Sequence, residues 1–205
     1  PGGVFIDGTI LVDNLKNCKT PIVDLTKLAN LQGRHNWQNS AAAYAVARMV
    51  GIQEAVIAEA LSTFSGLPHR QEIVRVIGKI RFINDSKATN SQAAAMALTS
   101  YENIFWIVGG QFKEKSVDVL VGALSTVRHA YLIGEAQDQL ADGLNGKVPL
   151  TRSGELEIAV HQASQAAHAY GAPAEVLLSP ACASFDQFAN FEARGAAFRD
   201  LVGTL

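Results

Sequence analysis

Residues 84–90 read NDSKATN and combine side chains that can bind a phosphorylated ligand. Asp85 can accept hydrogen bonds from sugar hydroxyls, and Lys87 can neutralise a phosphate as a compact charge. Thr89 and Asn90 lie between a predicted strand and a predicted helix, where a helix start offers free backbone N–H groups to an anion. An ordinary helix cap beside a solvated lysine has the same pattern, so this segment alone leaves both interpretations open.

Residues 109–113, GGQFK, also follow a predicted strand. The two glycines let the backbone come close to a ligand, and Lys113 is near enough to reach an anionic group. The alternative is an ordinary loop with an exposed lysine, which is the more common case for a single lysine.

Residues 179–187, SPACASFDQ, form a third cluster after a strand. Ser184 and Gln187 have the S-x-x-Q spacing of a capping box, which predicts a helix that begins at Ser184. A helix start with a hydroxyl group is also suited to bind a carboxylate. Cys182 stands between alanines with no histidine nearby, which indicates a buried residue rather than a nucleophile.

Two further clusters precede these three. Residues 33–39 read GRHNWQN, and the amides of Asn36 and Asn39 suit the edge of an adenine, although amides at this spacing are often only helix caps. Residues 67–72 read LPHRQE, in which Arg70 can span a phosphate and His69 can contact a substrate. The alternative for the second cluster is a surface salt bridge between Arg70 and Glu72.

The elements that must position these residues alternate between strands and helices after Pro68. Such alternation predicts an α/β fold with a Rossmann-like, mainly parallel sheet covered by helices on both faces. In such sheets ligands bind beyond the carboxyl ends of the strands, where the polar clusters lie. The predicted strands are residues 80–83, 104–108, 130–133 and 175–178, and the predicted helices are 91–100, 117–124, 137–144, 155–170 and 185–201.

The part before Pro68 has a different pattern. A β-hairpin is predicted over residues 4–12 with its turn at Asp7-Gly8, followed by a polar loop over residues 30–39. An Ala-rich helix over residues 40–51, capped by Asn39 or Ser40, and a helix over 53–64 complete this part. The Gly66-Leu67-Pro68 segment stops the last helix, so we predict two domains, residues 1–66 and 67–205.

The composition excludes several functional classes. The chain has 205 residues, 48% hydrophobic and 18% charged, with a net charge of −2, which is typical of a globular protein. There is no basic face for nucleic acid and no apolar run that predicts a membrane span. Two cysteines far apart indicate neither a disulfide framework nor a metal site, and favour a cytoplasmic location. The chain contains no P-loop and no dinucleotide-binding motif.

Taken in order, the five clusters resemble the motifs of the Mur ligase family. The segments DSKATN and SPACASFDQF together are similar to the family members that add D-glutamate, whereas other members tend to have a Tyr-Ala-His type segment in place of the first. The resemblance implies that residues 67–205 form a Rossmann-like amino-acid-binding domain and residues 1–66 the tail of a central ATP-binding domain. The ATP loop, a magnesium site and a carbamylated lysine would precede Pro1, so we expect this fragment to hold no metal and to be inactive alone.

The implied activity is ATP- and Mg²⁺-dependent ligation of D-glutamate to UDP-N-acetylmuramoyl-L-alanine through an acyl phosphate, by a full-length enzyme that is a monomer. Other candidates are another Mur or folylpolyglutamate-type ligase, or a non-catalytic nucleotide-binding module. The resemblance implies three groups of site residues: His69 and Lys87 for catalysis; Asn36, Asn39, Arg70 and Asp85 for ATP; and Lys87, Thr89, Lys113, Ser184, Phe185 and Phe191 for D-glutamate.

Overall fold

The structure, a computed structural model, describes residues 2–114 and 116–205. The chain divides into two compact units, of which the first extends to Gly66 and the second spans Leu67–Leu205. The division lies at the Gly66-Leu67-Pro68 segment. The assignment of the first unit to an ATP-binding domain stays a prediction.

The first unit contains a three-stranded antiparallel sheet and two helices. The predicted hairpin is confirmed, but its turn is formed by Gly8 and Thr9, one residue later than expected, with Gly8 at a φ of +62°. The elements of this unit are β1 Val4–Asp7, β2 Ile10–Asp13, β3 Thr20–Asp24, a 3-10 turn at Leu25–Lys27, α1 Arg34–Met49 and α2 Glu54–Thr63.

Helix α1 begins six residues before the predicted start at Ser40, so the prediction of a polar loop there was wrong. The backbone N–H groups of Asn36 and Trp37 both donate to the carbonyl of Gly33, which closes the first helical turn. Trp37 packs against the buried core of the unit, and this burial extends the helix through a polar stretch. Asn36 and Asn39 therefore lie within a helix rather than in a loop or at its cap.

The second unit contains a six-stranded sheet in the order β4-β5-β9-β6-β7-β8. Every neighbouring pair is parallel except β4 and β5, so the predicted mainly parallel sheet is confirmed. Its elements are β4 Glu72–Ile77, β5 Ile80–Asn84, α3 Ser91–Leu98, β6 Ile104–Gly109, α4 Asp118–Val121, a 3-10 turn at Leu124–Thr126, β7 Val127–Ile133, α5 Gln137–Leu144, β8 Leu150–Gly154, α6 Leu156–Tyr170, β9 Ala174–Leu178 and α7 Phe191–Gly203.

Helices cover both faces of this sheet, as the sequence predicts. One buried cluster joins the sheet to α3, α4 and α5 and includes the fully buried Trp106. A second cluster joins the opposite face to α6 and α7, where Phe198 and Val202 are fully buried. Since α6 and α7 pack on one face and the earlier helices on the other, the carboxyl ends of the strands stay uncovered at one edge.

Two strands and two helices of this unit differ from the prediction. Strands β4 and β8 were not predicted because both are edge strands, with charged residues and little full burial. The predicted helix over residues 117–124 is only the short α4 followed by a 3-10 turn. Helix α7 begins at Phe191 rather than at Ser184, because the Asn190 side chain caps it by accepting from Ala193 N–H at 2.7 Å.

No helix in the described part of the chain combines the length and the apolar character that crossing a bilayer requires.

Candidate functional site

The structure brings three of the predicted clusters to one edge of the sheet. Lys87 follows β5, Ser184 follows β9 and Lys113 follows β6, and these three strands are neighbours in the order β5-β9-β6. Adjacent strands lie about 4.8 Å apart, so the ends of β5 and β6 are separated by about 10 Å. The two lysines and the serine thus share one rim, which we call the strand-end rim (the loops at residues 85–90, 110–114 and 179–188).

The first part of the rim surrounds Phe191. The Nζ atom of the exposed Lys87 lies 4.1 Å from the centre of the Phe191 ring, a cation–π contact. The His69 ring meets the same phenyl ring edge to face, with 6.1 Å between centroids. The backbone N–H of Lys87 also donates to the carbonyl of His69 at 3.0 Å. His69, Lys87 and Phe191 therefore form one contact group, although they are far apart in the sequence.

The second part of the rim surrounds Phe185. Lys113 Nζ lies 5.6 Å from the centre of this ring, which is 64% exposed. The backbones of Gln111 and Ala183 exchange two hydrogen bonds, at 2.8 and 3.1 Å, and these bonds fasten the Lys113 loop to the Ser184 loop. Ser184 itself is buried. Two separate lysines thus stand beside aromatic rings at the same edge.

Asp85 is buried rather than presented to solvent. Its Oδ1 accepts from the backbone N–H of Gln71 at 3.1 Å, and its Oδ2 accepts from Ser179 Oγ at 2.8 Å. Burial raises the pKa of Asp85 to about 7, and these hydrogen bonds oppose the rise only in part. A ribose hydroxyl would have to use a remaining lone pair of these oxygens, so ATP binding by Asp85 stays a prediction.

The segment that carries His69 and Arg70 has an unusual backbone. His69 and Gln71 both have positive φ angles, 61° and 48°, in the left-handed region that few side chains adopt. The His69 ring packs so closely on α7 that a Cβ at Gly195 would lie 2.2 Å from its Nδ1. Arg70 is exposed, and Glu72 pairs with Arg199 at 2.7 Å, so the alternative of an Arg70–Glu72 salt bridge is wrong.

The start of α3 is occupied by the protein's own groups. At the start of α3, Asn90 Oδ1 accepts from Ala93 N–H at 2.8 Å, and Glu114 Oε1 accepts from Ser91 N–H at 2.8 Å. The prediction that this start offers free N–H groups to an anion is therefore wrong for these two groups, and the Asn90 cap is confirmed. Thr89 is exposed just before the cap.

Sequence reasoning missed Arg194, which is 1% exposed and lies beneath the rim. Its Nε lies 3.0 Å from Ser86 Oγ, and its Nη2 donates to the carbonyls of Ser86 at 3.0 Å and Cys182 at 3.1 Å. Its Nη1 lies 3.5 Å from the carbonyl of Gly109. Burial lowers the pKa of Arg194 to about 10. One guanidinium group therefore contacts the chain at the ends of β5, β9 and β6.

The remaining predicted residues have simpler surroundings. In the first unit, Asn36 Nδ2 donates to the carbonyl of Gln32 at 2.8 Å, and Asn39 is exposed. Cys182 is fully buried, and burial raises its pKa to about 12, which agrees with an inert thiol. Over residues 2–114 and 116–205, no three His, Cys, Asp or Glu side chains come together in a way that could hold a metal ion.

Curated relatives match the whole chain. It is 51% identical over 203 residues to a protein of Phenylobacterium zucineum and 52% identical over 206 residues to one of Rhodospirillum rubrum, both named UDP-N-acetylmuramoylalanine–D-glutamate ligase. These alignments cover 99% and 100% of this chain but 43% of each relative. The chain thus spans less than half the length of the relatives it matches. No protein-family model matches the chain.

Solved structures with the same fold are more distant in sequence. UDP-N-acetylmuramate–alanine ligase of Thermotoga maritima aligns with a TM-score of 0.62 and 15% identity, over 95% of this chain and 42% of that one. Folylpolyglutamate synthase of Mycobacterium tuberculosis aligns with a TM-score of 0.60 and 16% identity, over 98% of this chain and 46% of that one. Identities this low establish the fold alone. About half of the residues, however, are identical to those of the two D-glutamate ligases, so the chain is similar over essentially its full length to a part of these ligases.

Proposed function

We propose that this chain is part of an ATP-dependent ligase that joins D-glutamate to UDP-N-acetylmuramoyl-L-alanine in peptidoglycan synthesis. The observation that carries the proposal is the identity of 51% and 52%, over essentially the whole chain, to two ligases of that name. Since the chain spans 43% of those relatives, the activity belongs to the complete protein, and we expect this chain alone to be inactive.

The strand-end rim is the proposed binding site for D-glutamate. The amino acid carries two carboxylates, and the rim offers two exposed lysines on loops about 10 Å apart. Each lysine lies over a phenyl ring, and a cation–π contact of about 0.5–2 kcal/mol restricts the ammonium group before the ligand arrives. The hydroxyls of Thr89 and Ser184 would add hydrogen bonds to the same ligand.

The proposed reaction is activation of a carboxylate followed by attack of an amine. Phosphoryl transfer to the carboxylate of UDP-N-acetylmuramoyl-L-alanine gives an acyl phosphate, the D-glutamate amine attacks its carbonyl carbon, and phosphate leaves. Protein groups accelerate such a step by alignment and by neutralising negative charge. Lys87 and His69, in contact with the same ring, are the groups that we assign to the reacting atoms.

The described residues offer some candidate groups for ATP but no ligand cluster for Mg²⁺. Arg70 and Asn39 are exposed and leave their polar groups open to solvent, whereas Asn36 and Asp85 already use polar atoms within the protein. When bound, ATP supplies the phosphoryl group. The described residues offer no cluster of ligands for Mg²⁺, so no step here depends on it. A cytoplasmic location and a monomeric state stay predictions.

The activity test is phosphate release by the complete ligase that contains this chain, with ATP and UDP-N-acetylmuramoyl-L-alanine present. We expect release to depend on D-glutamate and not on L-lysine or diaminopimelate, which other ligases of this family could use. Release with either of those amino acids and none with D-glutamate would contradict the assignment of the substrate.

The site test uses Lys87→Ala, Lys113→Ala and Ser184→Ala in the complete ligase. Loss of a hydrogen bond to a charged group costs about 1.5–3 kcal/mol, so the KM for D-glutamate should rise about tenfold or more, with little change in the KM for the UDP substrate. Lys147→Ala is the matched control, because Lys147 is an exposed lysine after α5, away from the rim. Equal increases for both substrates would contradict the amino-acid pocket.

A further inference from the structure

Besides the backbone bonds between Gln111 and Ala183, two side chains fasten the turn that carries Ser184 and Phe185 to neighbouring loops. The backbone N–H of Glu135 donates to Asp186 Oδ2 at 2.9 Å, and Gln187 Nε2 donates to the carbonyl of Gly154 at 3.0 Å. Glu135 follows β7 and Gly154 ends β8. Asp186 and Gln187 therefore contact two other strand ends, and Gln187, which the sequence pattern assigns to a capping box, binds the end of β8 instead.

The approach of Asp186 to the β7 loop is close enough to demand glycine. Gly134 has a φ of +71°, and a Cβ at this position would lie 2.1 Å from Asp186 Oδ2 and 2.9 Å from the Cα of Gly110. Real Cβ atoms do not approach other atoms so closely. The turn, the β6 loop and the β7 loop thus meet at one point, and Asp186 is the side chain held there.

Asp186 belongs to the same closed turn as the proposed ligand residues. The backbone N–H groups of Gln187 and Phe188 donate to the carbonyl of Ser184 at 3.2 and 2.8 Å. Phe185 lies between these residues, and its exposed ring is the one that Lys113 contacts. A shift of Asp186 would therefore move the Ser184 hydroxyl and the aromatic partner of Lys113 together.

We propose that Asp186, supported by Gln187, is a positioning residue for the amino-acid substrate. Asp186 acts through the N–H of Glu135, which fixes the turn and with it Ser184 and Phe185. A direct contact between Asp186 and the carboxylates of D-glutamate is disfavoured because both groups are negative. This inference rests on the proposed function.

The test compares Asp186→Ala and Asp186→Asn in the complete ligase. We expect Asp186→Ala to raise the KM for D-glutamate about tenfold, while kcat and the KM values for ATP and the UDP substrate change by less than about twofold. Asp186→Asn should stay within about threefold of the unmodified enzyme, because its amide oxygen can accept the same hydrogen bond. The matched control is Asp138→Ala, since the Asp138 side chain is 90% exposed and lies on α5 close to Glu135.

Gln187→Ala keeps the inference testable if Asp186→Ala does not fold. It removes only the contact to Gly154, and we expect an increase of about threefold in the KM for D-glutamate alone. Equal increases for all three substrates, or an Asp186→Asn variant as impaired as Asp186→Ala, would overturn positioning through the hydrogen bond. If the unmodified ligase does not use D-glutamate, the proposed function fails. If it does, and Asp186→Ala has an unchanged KM, only this inference fails.

Discussion

Replacement of Arg194 by methionine tests whether one buried guanidinium group holds together the strand ends that carry the candidate site. Arg194 makes its hydrogen bonds to Ser86 and Cys182 at 3.0–3.1 Å while only 1% exposed. Methionine can replace the apolar stem of the arginine side chain, but it lacks the guanidinium group and offers no donor to these oxygens. The substitution therefore removes the hydrogen bonds and keeps an unbranched, flexible side chain at this position.

The expected cost follows from the groups that lose their partner. The carbonyls of Ser86 and Cys182 would each lose a charged donor while buried, and an unsatisfied buried group costs about 1–3 kcal/mol. The Ser86 hydroxyl keeps its own bond to the carbonyl of Phe191 at 2.8 Å. Burial of the Arg194 charge has a cost in free energy, and the same burial lowers the pKa of Arg194 to about 10. Methionine carries no charge and avoids this cost. We expect a net loss of about 2–4 kcal/mol in the free energy of unfolding, against about 5–15 kcal/mol for a typical domain.

The assay is urea unfolding of the second unit, followed by tryptophan fluorescence. The chain has two tryptophans, so a Trp37→Phe background leaves the buried Trp106 as the only reporter. In that background, Arg194→Lys should lose less stability than Arg194→Met, because the lysine ammonium group can still donate to some of these oxygens although it lacks the planar fork. Arg152→Met removes an exposed ion pair with Asp138 and should cost less than about 1 kcal/mol. If Arg194→Met costs no more than Arg152→Met, the reasoning is refuted.

Two further predictions concern buried titratable groups. Burial raises the pKa of Asp85 from 3.8 to about 7, so the folded state keeps a proton that the unfolded state releases. The stability of the unmodified chain relative to Asp85→Asn should therefore fall as the pH rises from about 4 to about 7 and level off above that range. Urea unfolding of both proteins across this pH range measures the difference in stability. A difference that does not change with pH would show that the prediction is wrong. An aromatic disulfide reagent at about pH 8 should modify Cys18 in the folded chain and Cys182 only after denaturation. The reason is that Cys182 is buried and its pKa is raised to about 12. Modification of both thiols in the folded chain would contradict this prediction.

The parallel sheet and the edge that the candidate residues share could be predicted because both depend on local patterns. Apolar runs that alternate with amphipathic segments indicate parallel strands joined by helices, and parallel strands place their carboxyl ends at one edge. Polar residues that directly follow such strands then share one edge of the sheet, as Lys87 and Lys113 do on the loops after β5 and β6. The distance between them depends on the order of the strands, which local patterns do not give.

The edge strands and the start of α7 could not be predicted because longer-range contacts decide them. Strand β4 exists through its antiparallel pairing with β5, and its own residues show no buried run. The S-x-x-Q pattern at Ser184 favours a helix start, but Gln187 finds its partner in Gly154, 33 residues earlier in the chain. A local capping rule loses whenever tertiary contacts satisfy the same side chains differently.

Arg194 is a residue whose burial can be predicted from the sequence but whose hydrogen-bond partners cannot. A sequence signal exists, since Arg194 shares the spacing of Phe191, Phe198 and Val202 on the apolar face of α7, where a charged residue is unexpected. That signal predicts a buried arginine but not its partners, which include Ser86, 108 residues away. The charged residues that would bind substrate are recognisable from their types. The groups that hold these residues in place are recognisable only from the fold. Such groups donate hydrogen bonds to backbone carbonyls, and since every residue has a backbone carbonyl, the sequence does not show which ones are used.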